Sequence, residues 1–355
     1  MQTIPAAAMR IIDAAANRTG EGLRVVEEFV RFALNDAHLS KLMKECRHDF
    51  AQAISTLSES DRLSARDTLG DVGAAIGTTD EYERESLEDV ARASLKRIQE
   101  SLRTIEEYGK LLGSTSQSDE FRSLAPRIEQ LRYRTYTLEK AVLRVVNSRQ
   151  RLANHSVYLL LTTGLCRDSM ESTLLSALRG GVRMIQVREK SLPDRELIEH
   201  VRRVRILTSA ANALLIINDR PDIAALANAD GVHVGQDELS VSDARRIVGP
   251  GRLVGVSTHT IEQARQAVLD GADYLGVGPT FASQTKSFEE YAGLAFIRQV
   301  ASEISLPWYA IGGIHLENVD QVLQAGAKRV AISHAICASQ DPHQTAAELV
   351  AKVGG

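Results

Sequence analysis

The chain has 355 residues, 44% of them hydrophobic and 25% charged, an ordinary composition for a globular protein that leaves room for one large domain or two. A formal net charge of -4 excludes the basic excess of a general nucleic-acid binder, and no apolar run reaches the roughly 18 residues that a membrane helix needs. Cys46, Cys166 and Cys337 stand at no metal-ligand spacing and cannot all pair, which points to a reducing compartment. The opening stretch MQTIPAAAMRIIDAAANR lacks the basic-then-apolar order of a secretory signal, so the expectation is a cytoplasmic protein.

Residues 1–150 lack strand-like apolar runs. Apolar residues recur there at helical spacing, as at Leu23, Val26, Val30 and Ala33, with charges between them. Turn signals are sparse, at 69–71, 77–80 and 112–116, and an all-α bundle is predicted. This half also repeats itself: RTGEGLRVVEEF at 18–29 matches RIQESLRTIEEY at 97–108, as two helical units related by a pseudo-twofold would. In each copy an arginine (Arg24, Arg103) precedes a Glu pair by three and four residues, so the charges can pair along one helix. The alternative is that the two helices face each other and bind an anion between them.

The grammar changes at about His155, and residues 154–355 form the second predicted domain. Short β-rich runs occur at 157–162, 184–189, 214–219, 231–235, 253–258, 274–279, 308–313 and 329–333. Helical patterns such as 240–248 and 260–270 alternate with them, and the helical stretch 126–150 leads in. Continuous apolar strands alternating with helices imply a parallel sheet, and eight such units in about 200 residues fit a closed (β/α)8 TIM barrel.

Active sites of such barrels lie at the C-terminal strand ends, and the polar residues collect there. Strand 2 ends QVREK, so Gln186, Arg188 and Lys190 share one face. With Gln186 inward, both cations point to the top of the interior and call for an anionic ligand, a structural ion pair being the plainer alternative. Strand 3 ends at Asn218 and Asp219, and strand 4 runs into Asp237 and Glu238. Carboxylates from adjacent strand ends can share magnesium, although isolated acids also serve as helix caps. Strand 5 ends with Ser257 and His259. The loop after strand 6 places Ser283 and Thr285 beside Lys286, which suits a phosphate-binding loop. Backbone amides at Gly312 and Gly313, with those after Ser333 and His334, make the usual phosphate site of these barrels.

The ordered set QVREK, IINDR, GVHVGQDEL, GVSTH, GADYLGVGPTFASQTK, AIGGI and RVAISHAI resembles thiamine-phosphate synthase over nearly all of residues 157–337. The resemblance implies condensation of 4-amino-2-methyl-5-(diphosphooxymethyl)pyrimidine with 4-methyl-5-(2-phosphoethyl)thiazole, giving thiamine phosphate and diphosphate. It implies that Gln186, Arg188, Lys190 and Asn218 hold the pyrimidine diphosphate and that Ser257 and Lys286 contact its diphosphate. It assigns Asp219 and Glu238 to Mg2+, and Ser283, Thr285, Gly313 and the strand 8 end to the thiazole phosphate. Arg188, Lys190 and Lys286 become the catalytic cations, and His259 reads as structural. The resemblance departs at two places. The family usually has Asp where Glu238 stands, with Asp237 just before it, and its Val-Ser-Ala-Ile is here Ser333-His334-Ala335-Ile336.

EGLRVVEEFVRF, RHD at 47–49 and ARDTLGDVG at 65–73 resemble a helical domain found fused to such synthases and associated with phosphorylating the pyrimidine monophosphate. No GxxxxGK[ST] loop is present. Candidate residues are Arg24, Glu28, Arg47, His48, Arg66, Asp67, Asp71 and Arg103, and a scaffold or dimerisation module is the alternative. For the barrel, the competing expectations are a thiazole tautomerase and a non-catalytic precursor sensor. Small-molecule substrates are the expected partners, without nucleic acid or membrane, and the oligomeric state, homo-oligomer included, is left open.

Overall fold

The computed structural model describes residues 6–68, 70–72, 84–115, 119–282 and 291–354. The chain divides into two compact units, Met1–Leu143 and Arg144–Gly355. The dividing point falls inside one long helix.

Among the described residues of the first unit every regular element is a helix. α1 (Ala6–Glu28) runs into a π-helical turn, Phe29–Leu34, and is followed by α2 (Ala37–Ile54), α3 (Glu59–Ala65), α4 (Leu87–Thr115) and the start of α5 (Asp119–Arg151). Asn35 and Asp36 make the sharp turn into α2: Asn35 adopts φ 54°, and the Asp36 carboxylate accepts from the Leu39 amide at 2.8 Å as N-cap. The repeated segments lie on α1 and α4, which pack against each other through Ile12, Leu23 and Val26 on one side and Leu95, Ile98 and Leu102 on the other. Gly22 permits that approach, since a Cβ there would stand 2.8 Å from Ile98 Cγ1. The expected turn at 112–116 is not one: α4 continues through Thr115. Gly113 serves packing instead, because a Cβ there would press within 3.3 Å of the Phe121 carbonyl oxygen on α5. The signal at 77–80 lies outside the described residues.

The second unit is a closed barrel of parallel strands in the order β1 to β8: Val157–Leu161, Met184–Val187, Leu214–Asn218, Gly231–Val234, Leu253–Thr258, Tyr274–Val277, Trp308–Ile311 and Val330–Ile332. The strands read as apolar runs because both faces are covered, and VYLLL of β1 is buried at every position. Most are one or two residues shorter than expected, since their polar C-terminal ends leave the ladder and become the loops that carry the site. Ser169, Ser240 and Thr260 cap the helices α6 (Met170–Arg179), α7 (Val241–Val248) and α8 (Ile261–Asp270) by accepting from amides three residues on.

The barrel interior is packed rather than open. Tyr158, Met184, Ile216, Leu253, Tyr274 and Tyr309 form its core. Gly255 makes room for Tyr274: a Cβ there would stand 2.1 Å from that ring's Cζ. At the N-terminal end, the buried carboxylate of Asp273 accepts from Arg144 Nη1 at 3.0 Å, from the Val254 amide at 2.7 Å and from Arg245. Tyr309 Oη donates to the His155 carbonyl oxygen at 2.9 Å. Among the described residues no helix is long and apolar enough to cross a membrane.

Candidate active site

A cavity of about 640 Å³ opens at the C-terminal ends of the strands. Its volume suits ligands of cofactor size. Gln186, Arg188 and Lys190 all line it, so the face they share on β2 and its following loop does point to the top of the interior. Gln186 is 1% exposed, and its Nε2 donates to Tyr158 Oη at 2.6 Å. The chain stays pinned beyond the strand because the Arg188 amide donates to the Leu161 carbonyl oxygen at 2.9 Å.

Asn218 and Asp219 leave β3 into the same cavity, and Asp237 and Glu238 reach it from the loop after β4. Asp219 holds φ 60°, a left-handed conformation that Asp tolerates better than most residues. Its amide donates to the His233 carbonyl oxygen at 2.8 Å, and its Oδ2 accepts from Asn218 Nδ2 at 2.5 Å. Burial, and then the negative charge of Glu238, push the Asp219 carboxyl above its ordinary range, while Lys190 and Arg188 draw it back. The Glu238 carboxylate folds over Gly235: a Cβ at that glycine would meet Oε2 at 2.1 Å.

This donor set fits a hard dication. The charge of Glu238 makes ionisation of the half-buried Asp219 more costly, a cost that a cation held beside the two carboxylates would remove. Among the described residues no group of three or more His, Cys, Asp or Glu could hold a metal. Two protein carboxylates, completed by water and phosphate oxygens, are what Mg2+ ordinarily takes.

On the far side, Gly312 and Gly313 line the cavity with φ 100° and 63°, and a Cβ at Gly313 would stand 2.3 Å from the Ala282 carbonyl oxygen. Only glycine lets this turn lie against the loop after β6, where the Thr280 and Phe281 amides donate to the Ile311 and Gly312 carbonyl oxygens at 2.8 and 3.0 Å. Ser333 and His334 also line the cavity, but the Ser333 hydroxyl donates to the Leu160 carbonyl oxygen at 2.9 Å. That hydroxyl therefore has only acceptor capacity left, and the exposed His334 stands where the resemblance has its serine. Ser283, Thr285 and Lys286 lie outside the described residues. His259 shares a hydrogen bond of 2.6 Å between Nδ1 and the Gly278 carbonyl oxygen, a structural contact at the cavity wall.

The residues missed in the sequence are inside the barrel. Tyr158 Oη and Tyr274 Oη share a hydrogen bond of 3.0 Å, Tyr274 Oη meets His233 Nδ1 at 3.2 Å, and His233 Nε2 meets Ser257 Oγ at 3.0 Å. With Gln186 this makes a continuous hydrogen-bonded row from β2 to β5. Burial pushes the His233 imidazole down to about 4, so it is neutral at pH 7. The signal was present in GVHVG, whose alternate residues Gly231, His233 and Gly235 share one face of β4.

In the first unit Arg24 pairs with Glu28 at 3.2 Å and Arg103 with Glu106 and Glu107 at 2.8 and 2.9 Å along their own helices, whereas Glu27 of the first copy pairs with Arg47 of α2 at 2.7 Å. Around Glu106 the network is complete, with Lys110 at 2.7 Å and Arg132 at 2.8 Å. Arg66 binds the buried Asp13 at 2.8 Å, the Asp67 carboxylate accepts from the Gly70 amide at 2.8 Å, and His48 and Asp71 are exposed. Of these first-unit candidates, Arg24 and Arg47 line one cavity together.

The profile of the thiamine monophosphate synthase family matches residues 157–336, and that of the ThiD2 family matches residues 10–141. A thiamine-phosphate synthase of Rhodopirellula baltica is 43% identical over 347 residues, covering 95% of this chain and 90% of its own. The chain belongs to the thiamine-phosphate synthase family. A thiamine-phosphate synthase of Synechocystis is 38% identical over 354 residues, 99% of this chain and 98% of its own, so the likeness extends through the helical unit. Thiamine phosphate pyrophosphorylase from Pyrococcus furiosus superposes with a TM-score of 0.52 at 31% identity, covering 57% of this chain and 98% of that one. The barrel of this synthase-family chain is thus the conserved architecture of a transferase, and the tautomerase alternative is not favoured.

Proposed function

We propose that the barrel cavity joins the methylene carbon of the aminopyrimidine diphosphate to the ring nitrogen of the thiazole phosphate, releasing diphosphate. The observation that carries this reading is one cavity with Arg188 and Lys190 on one side and the Gly312–Gly313 turn on the other, room for two anionic ligands. The carbon–oxygen bond breaks with its electron pair leaving on diphosphate, where Arg188 and Lys190 stabilise the growing charge. The pyrimidine's amino group stabilises the cation at the methylene carbon. The thiazole nitrogen then donates its lone pair to that carbon, and no catalytic base is needed because it attacks as a neutral aromatic amine. Gln186 and Asn218 orient the pyrimidine, Ser257 and Lys286 contact the diphosphate, and Ser283, Thr285, Gly313 and the end of β8 receive the thiazole phosphate. Asp219 and Glu238 would hold Mg2+, which when bound supplies charge neutralisation for the leaving group. The three cysteines Cys46, Cys166 and Cys337 are free thiols, which supports a cytoplasmic setting.

Activity is expected to vanish on chelation and return with magnesium, and to be lost in Asp219→Ala. Glu238→Ala is expected to raise the magnesium requirement more than Asp237→Ala does, because Glu238 is the carboxylate whose charge bears on Asp219. A metal titration giving the reverse order assigns the ligand to Asp237.

For the first unit we propose transfer of a phosphate from adenosine triphosphate to the aminopyrimidine monophosphate, which makes the diphosphate that the barrel consumes. The ThiD2 match over residues 10–141 and the fusion itself support this reading. The full-length chain, given monophosphate, thiazole phosphate, nucleotide and magnesium, is expected to form thiamine phosphate. A chain that makes product only when the diphosphate is supplied would be carrying a scaffold.

A further inference from the structure

We infer that the first unit holds a binding site for a phosphorylated, amino-substituted heteroaromatic compound, in a cavity of about 580 Å³ lined by arginines from three different helices. Arg24 comes from α1, Arg47 from α2 and Arg62 from α3. Convergence from three elements is not what pairing along one helix produces, and Arg62 belongs to neither copy of the repeat.

Charge bookkeeping favours an anion at this place. Arg47 Nε donates to Glu27 at 2.7 Å and Arg24 Nε to Glu28 at 3.2 Å. A guanidinium has five N–H donors, so each keeps donors to spare. Arg62 Nη1 stands 3.5 Å from Asp13 Oδ1, but the same carboxylate already accepts from Arg66 Nε at 2.8 Å, so one buried negative charge serves two guanidiniums. Among the described residues Arg62 Nε is buried without a hydrogen-bond partner, a loss that an acceptor entering the cavity would remove.

The remaining walls describe the body of the ligand. Phe50, 6% exposed, joins Ala16, Ala51 and Ile54 in an apolar wall of the cavity. A flat ring stacks on such a surface. A lone inorganic anion would leave Glu21, which lines the same cavity, facing like charge. An amino group on the ring gives that carboxylate a donor. Both the aminopyrimidine monophosphate and an adenine nucleotide have this chemistry, and the choice of these two probes rests on the kinase reading above.

The test is calorimetric titration of the full chain carrying Arg188→Ala, which weakens the barrel's own anion site, with the aminopyrimidine monophosphate and separately with adenosine diphosphate. At least one is expected to bind, and the tighter one identifies the source. Adding Arg62→Gln is expected to weaken it tenfold or more. Adding Arg24→Gln, an exposed residue whose loss does not threaten folding, is expected to do the same. Arg92→Gln, an exposed charge on α4 away from the cavity, serves as the control. The inference falls if neither probe binds at millimolar concentration, if Arg24→Gln binds like its parent, or if Arg92→Gln weakens binding equally. Binding that depends on Arg24 in a chain that transfers no phosphate supports the site while removing the kinase reading.

Discussion

Arg188→Ala is expected to lower the turnover of the condensation by roughly a hundredfold or more, with the fold unchanged. Arg188 is partly exposed at the cavity rim, and its loss opens no core void. Its charge, with that of Lys190, draws the Asp219 carboxyl back toward its ordinary range. The guanidinium therefore acts where negative charge gathers, and a departing diphosphate gathers more of it than the bound substrate does. An interaction that strengthens on the way to the transition state appears in kcat and not in KM alone. Lys286→Ala is expected to behave the same way. Steady-state kinetics beside a thermal melt decide it: turnover near the parent's in Arg188→Ala removes that residue from the leaving-group role.

Asp273→Ala is expected to cost about 3–5 kcal/mol of stability, because it strands two largely covered arginines, Arg144 and Arg245. That corresponds to a melting temperature lower by roughly 6–20 °C for a unit of this size. Asp273 is 1% exposed and holds Arg144 and Arg245 together with the Val254 amide. Burial lowers the proton affinity of Arg245, the mark of a guanidinium taken out of water. Asp273→Asn keeps the shape but loses the charge, and is expected to fall between parent and alanine. A melt of Asp273→Ala within 2 °C of the parent, a shift of roughly 1 kcal/mol or less, would mean that the barrel base relaxes around the gap.

The barrel was legible because buried parallel strands leave a mark that survives without context: 157–161, 213–217 and 253–256 are apolar runs bounded by polar residues. The grouping of Gln186, Arg188 and Lys190 followed from strand alternation alone. What was not legible depends on distance in the chain. The row from Gln186 to Ser257 joins residues of five strands, and no local pattern links Tyr158 to Tyr274. The glycine at 113 read as a turn because its use is steric, against a helix that begins later in the chain. Arg62 carries no local mark of its role, because it lies on α3, outside both copies of the repeat, and joins Arg24 and Arg47 only through the fold.

The row across the barrel interior also has a sense of direction. Gln186 donates through Nε2 to Tyr158, and with that bond made, the arrangement that gives every hydroxyl proton an acceptor passes the Tyr158 proton to Tyr274 and the Tyr274 proton to His233 Nδ1. A neutral imidazole that accepts at Nδ1 donates at Nε2, which makes Ser257 Oγ an acceptor there and frees the serine proton for the cavity. Turning the Gln186 amide over reverses every step and withdraws that proton. The face that Gln186 shows to a ring at one side of the cavity and the proton that Ser257 offers to an anion at the other are thus set by a single orientation.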